Sequence, residues 1–137
     1  MVGLIWVIQL VHYPLFAQVG TEQFRIYEGE HTRLITFIVG PVMLIELLSA
    51  LALLAESPPT GVPGWLPWLL VGLLGLVWLS TIFLQIPLHG QLTAGFDIVT
   101  HGRLVATNWI RTVAWTLRGV ILFWVFYKWI ISEFKPL

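Results

Sequence analysis

The chain has 137 residues, of which 58% are hydrophobic and 10% charged, with seven basic and seven acidic side chains and no cysteine. A soluble domain carries roughly 25% charged residues, so this composition identifies lipid as the solvent. A formal net charge of zero without a basic tract argues against nucleic acid or an anionic membrane surface as partner. The lack of cysteine excludes disulfides, thiolate metal ligands, iron-sulfur clusters and thiol catalysis.

Crossing a hydrocarbon core takes about 20 mostly apolar residues in a helix. Four stretches meet that length, at residues 2–19, 34–55, 66–88 and 105–131. The expected fold class is all-α, an integral membrane four-helix bundle in a single domain covering residues 1–137. No basic segment precedes the first stretch, and Gln9, His12 and Pro14 interrupt it, so it reads as a retained helix and not a cleaved signal.

The link 56–64, with Pro58, Pro59, Gly61, Pro63 and Gly64, predicts a short turn that makes the second and third helices antiparallel neighbours. The links 21–33 and 90–103 emerge on the other side and carry most of the ionisable residues. Trp65, Trp68, Trp124 and Trp129 fall near helix ends, as interfacial anchors do. Arg25, Arg33, Arg103 and Arg111 on the long-link side outnumber Lys128 and Lys135 on the side of the termini. The positive-inside rule therefore predicts the 21–33 and 90–103 links in the cytoplasm and both termini outside. Gly72 and Gly75 are expected to mark close helix contact.

The two halves share an order of residues. Pro14-Leu15, Gln18, Phe24 and His31-Thr32-Arg33-Leu34 are matched by Pro87-Leu88, Gln91, Phe96 and His101-Gly102-Arg103-Leu104. This pattern predicts two parallel αα-hairpin repeats, at about 9–55 and 80–131, related by an axis along the membrane normal. His31 and His101 are expected to face each other across it.

Ionisable residues inside membrane helices are costly, about 2.5–3.5 kcal/mol each on insertion scales, so they face the bundle interior and find partners. On the fourth helix, His101, Leu104, Asn108, Arg111, Trp115 and Arg118 recur at spacings of three and four, one polar face in apolar surroundings. Arg118 lies ~25 Å below His101, and Glu46 ~22 Å below His31, at about 1.5 Å per residue. A Glu46–Arg118 ion pair is expected there, either a structural clamp or part of a site.

His12, His31, His89 and His101 come from four segments near the long-link side. Neutral imidazole is a common ligand for zinc, copper and iron, so these four are candidate metal or haem ligands. Asn108 and Arg111 are candidate catalytic groups, Arg111 for an anionic or carbonyl oxygen. Trp109 and Trp115 are candidates to wall a planar cofactor. Interhelical hydrogen bonding, proton transfer, and binding of a quinone or polar-headed lipid are the other readings of the same histidines.

The segments W-x-x-Q-x-x-H-Y-P-L from Trp6 to Leu15, E-H-T-R-L-I-T from Glu30 to Thr36, and T-N-W-I-R-T from Thr107 to Thr112 resemble those of the uncharacterised small four-helix membrane proteins found widely in bacteria. In size and layout the chain is more distantly similar to the anthrone-oxygenase-like membrane family. That resemblance implies oxidation of an aromatic substrate, without or with a metal, and carries over no particular residue. Three readings of function stand open: a membrane protein that binds a metal, haem or quinone-like ligand for redox or oxygenase-type chemistry, a non-catalytic accessory subunit of a larger membrane complex, or a transporter that dimerises to offer a path. A homodimer or larger complex within the bilayer suits each of them.

Overall fold

The computed structural model describes residues 1–133, so Lys135 lies outside the described residues. Four helices follow one another: α1 (Val2–Gln18), α2 (Thr21–Leu54), α3 (Leu66–Leu92) and α4 (Ile98–Glu133). No β-strand occurs among the described residues. By length and apolar composition α2, α3 and α4 can each cross a bilayer. Helix α1 is shorter, about 25 Å at 1.5 Å per residue, and is apolar.

The burial pattern is that of a membrane protein turned outward to lipid. Phe37, Phe83 and Phe123 are 71%, 68% and 74% exposed, whereas Glu28 and Asn108 are 0% exposed. Water would penalise such an arrangement, because exposed apolar area costs roughly 25 cal/mol per Å². In lipid the penalty reverses and polar groups gather inside. The apolar part of the interior is small and aromatic, with Phe16, Phe24, Leu74, Leu92, Leu104 and Trp115 all fully enclosed.

Both helices that follow the long links begin earlier than hydropathy alone predicts. Helix α2 starts at Thr21, because Phe24, Glu28 and His31 repeat at four and three residues and bury one face of a polar segment. Arg33 pairs with Glu30 at 2.6 Å on its outer side. The first link therefore shrinks to Val19 and Gly20. At the other link the Asp97 carboxylate accepts a hydrogen bond from Thr100 N at 2.7 Å and starts α4, as a side-chain cap does. Thr100 holds the Asp97 carboxyl below the usual carboxylate range.

Two helices carry a π-helical turn, at Ile8–His12 in α1 and Thr81–Gln85 in α3. Pro14 and Pro87 follow these turns by two residues. A proline has no N–H to offer the carbonyl four residues earlier and its ring crowds it. Those carbonyls belong to Leu10 and Phe83, inside the two turns, where widening the backbone relieves the conflict.

The tightest glycine contact among the described residues is not at Gly72 or Gly75, where an added Cβ would have no neighbour within 4 Å. It is at Gly119 of α4, where a Cβ would meet Val2 Cγ2 of α1 at 2.7 Å. Trp6 Nε1 donates to Thr116 Oγ1 at 3.1 Å beside this contact.

Candidate functional site

At mid-depth the buried face of α4 presents Asn108, Arg111 and Thr112 to α1 and α3. Arg111 Nε donates to Asn108 Oδ1 at 2.9 Å, and Nη2 donates to the same oxygen at 2.5 Å. Nη2 also donates to Tyr13 Oη and Gln85 Oε1, both at 3.2 Å, and Nη1 reaches Thr81 Oγ1 at 3.5 Å. Asn108 Nδ2 in turn donates to Gln9 Oε1 at 2.8 Å, and Gln9 Nε2 to the Val105 carbonyl at 3.1 Å. Gln85 Nε2 donates to Thr107 Oγ1 at 2.9 Å. The π turns supply Gln9, Thr81 and Gln85.

From Arg111 the network continues outward along one line. Tyr13 Oη lies 2.9 Å from His89 Nε2, and His89 Nδ1 lies 2.5 Å from Glu28 Oε1. Arg111 has only donors, so Tyr13 oxygen accepts from it and the Tyr13 proton serves His89 Nε2. His89 Nδ1–H then donates to Glu28. Arg111 from α4, Tyr13 from α1, His89 from α3 and Glu28 from α2 thus form a chain across all four helices. Its ends are the Arg111 guanidinium and the Glu28 carboxyl. Buried charges are tolerated when paired and hydrogen-bonded.

A cavity of about 500 Å³ opens beside this chain. Ile5 and Ile8 of α1, Ile35, Val39 and Met43 of α2, and the rings of Trp78 and Trp115 give it apolar walls. Tyr13, Thr81, Gln85, His89 and Arg111 form its one concentrated polar patch. Thr36 of α2 and Ile82 and Ile86 of α3 line it and are exposed on the outer surface, so its mouth faces lipid between α2 and α3.

The histidines do not form a ligand set. His12 Nε2 and His31 Nδ1 bond to each other at 3.0 Å, and both nitrogens of His89 are engaged by Tyr13 and Glu28. His101 stands apart: its Nε2 bonds to the Tyr13 carbonyl at 2.8 Å, and its ring stacks on Phe16 at 6.3 Å. Among the described residues no group of three or more His, Cys, Asp or Glu side chains is arranged to hold a metal ion. His31 does not face His101 either. It meets His12 and His89, at ring-centroid distances of 4.7 Å and 5.3 Å, because Phe16 fills the space on the His101 side.

Three other expectations change. Asn108 does not line the cavity; it holds Arg111 against Gln9 and is a positioning group. Trp115 lines the cavity, but Trp109 is 40% exposed and packs edge-on against Trp6 at 5.6 Å. The Glu46–Arg118 ion pair is not formed. Trp115 Nε1 donates to Glu46 Oε2 at 2.8 Å, while Arg118 Nη1 reaches across to the Leu70 carbonyl of α3 at 3.1 Å. Helix α4 lies against α3 along this stretch, so the long side chain finds a backbone acceptor there before it reaches α2.

Tyr13 and Thr81 are cavity residues that sequence reasoning misses, and Tyr13 is the more central of the two. A tyrosine beside a histidine near a helix end reads as an interfacial anchor. The available signal is its four-residue spacing from Gln9, which puts both on one face. Comparison with protein-family models, curated proteins and solved structures gives no match.

Proposed function

We propose that this integral membrane protein binds a quinone-like ligand, with a ring bearing carbonyl or hydroxyl oxygens and an apolar tail, taken laterally from the bilayer. The observation that carries this reading is the cavity itself, whose apolar walls converge on Arg111, Tyr13, Gln85 and His89. Ligand sites commonly combine apolar walls with a few convergent polar groups. Arg111 offers donors to a carbonyl or phenolate oxygen, and the Tyr13–His89 pair offers a proton or accepts one. A metal or haem held by all four histidines does not suit this arrangement, since both ring nitrogens of His89 are engaged by Tyr13 and Glu28 and His101 bonds to the Tyr13 carbonyl.

The test is a titration of the protein in lipid nanodiscs with a short-tailed quinone, read by quenching of Trp78 and Trp115 fluorescence. Saturable binding is expected, weakened by about tenfold or more in Arg111→Gln, as for loss of a charge-assisted hydrogen bond. Arg118→Gln should bind as the parent does, and Tyr13→Phe should lie between. Unsaturable quenching, or equal affinity in Arg111→Gln and the parent, would overturn the reading.

We also infer that the two hairpins, α1 with α2 and α3 with α4, descend from a duplication. The π turns support it, since each stands two residues before the matched prolines. So does the contact of the matched pair Phe24 and Phe96, whose rings lie 5.0 Å apart.

A further inference from the structure

Beyond Arg111, the ligand reading uses only the cavity end of the cross-bundle chain. The far end holds two buried polar atoms that no protein group satisfies: Glu28 Oε2 and His31 Nε2. Buried polar atoms without a partner are rare in folded proteins and ask for an explanation. Both belong to α2, three residues apart, which places them on one face about 5–6 Å apart at Cβ. Each is the free side of a group whose other side is bonded. Glu28 Oε1 is taken by His89 Nδ1, and His31 Nδ1 by His12 Nε2. His12 is half-buried at the edge of the bundle, near the level of the exposed Arg33–Glu30 pair.

We propose that Glu28 is a proton carrier that joins two hydrogen-bonded segments, Tyr13–His89 on the cavity side and His31–His12 on the water side, into one proton path. The terminal torsion of a glutamate is broad and roughly two-fold, so the carboxyl can turn without leaving its place. The step balances as follows. A proton arriving at His89 Nε2 through Tyr13 displaces the Nδ1 proton onto Glu28 Oε1. The carboxyl turns and gives that proton to His31 Nε2. His31 Nδ1–H passes its own to His12 Nε2, and His12 Nδ1–H is released to water. One proton enters and one leaves, and each imidazole exchanges its tautomer. The titratable groups nearest Glu28 are His89 from α3, His12 and Tyr13 from α1 and Tyr27 on its own helix, with His31 one turn along and Arg111 of α4 behind Tyr13. The direction in which protons run depends on the ligand reading; the connectivity does not.

The test is infrared spectroscopy of the protein in nanodiscs after a rapid pH jump, with no quinone present. The Glu28 carboxyl band is assigned by its loss in Glu28→Gln. In the parent the band should respond to the jump, and His31→Leu and His12→Leu should each slow that response by about a hundredfold or more, the low end of positioned proton transfer. His12→Leu is the tolerant variant, because that position is only half-buried. Arg118→Gln, at a side chain that bonds only to the Leu70 carbonyl away from this path, should leave the rate unchanged. A band that titrates equally fast in His12→Leu and the parent, or one that never responds to pH, would overturn the proposal. Since the measurement contains no quinone, its failure is separable from a failure of the binding titration.

Discussion

Arg111 and Arg118 stand seven residues apart on one face of α4, about 10 Å along its axis, and both are nearly enclosed. Their surroundings differ sharply. All three nitrogens of Arg111 reach oxygen atoms of Asn108, Tyr13, Gln85 or Thr81. Arg118 has one backbone carbonyl, and its Nε is buried without a partner. The end of the bundle near Arg111 is held by hydrogen bonds among side chains, and the end near Arg118 by close packing at Gly119. A buried arginine is thus no marker of a site by itself; the groups prepared around it are.

The sharpest way to break this contrast is to remove each charge. Arg111→Met should cost about 3–5 kcal/mol, because it strands buried acceptors and leaves Glu28 as the one remaining charge of the chain. Arg118→Met should cost about 1 kcal/mol, the worth of one hydrogen bond. Reversible unfolding in mixed detergent micelles measures both, and equal losses would erase the distinction. The packing side is probed by Gly119→Ala, expected to cost about 1–3 kcal/mol because Val2 must move. Gly72→Ala in the same assay should stay within about 0.5 kcal/mol.

The smallest effect lies at the start of α4. Thr100 lowers the Asp97 carboxyl below its ordinary range, so the folded state favours the charged form. That contribution is complete above the unfolded-state value and disappears as pH falls through the lower folded-state one. Asp97→Ala should therefore melt lower than the parent at neutral pH, with the difference closing in the acid range. A gap that persists in acid would show that the carboxylate cap is not its source.

Much of the architecture is legible from residue spacing. The long apolar runs predict α2, α3 and α4, and the three-and-four spacing of Asn108, Arg111, Trp115 and Arg118 gives the inward face of α4. The early start of α2 is legible too, through Phe24, Glu28 and His31, but only when polar residues are allowed on a buried face. Pairing across helices is a different matter. Equal depth put Glu46 with Arg118, yet depth says nothing of rotation about the axis, and rotation decided for Trp115 and Leu70. The histidines illustrate the same gap: their shared level was readable, their engagement with one another and with Glu28 was not. Tyr13 follows the π turn at Ile8–His12, so its rotation about the axis of α1 is not fixed by its spacing from Gln9 alone.

Those π turns make the site sensitive to counting as well as to chemistry. An α-helix advances 100° per residue, and a π turn is such a helix with one residue inserted. Deleting Val11 or Leu84, both apolar, would leave charge and every polar side chain of the network intact. It would nonetheless remove the inserted residue that each turn accommodates, leaving the flanking helix in its place but resetting the residues inside the turn, Gln9 in one case and Thr81 with Gln85 in the other. Substituting the same residues by alanine should be mild. For this bundle, the number of residues between two polar groups is as much a part of the site as the groups themselves.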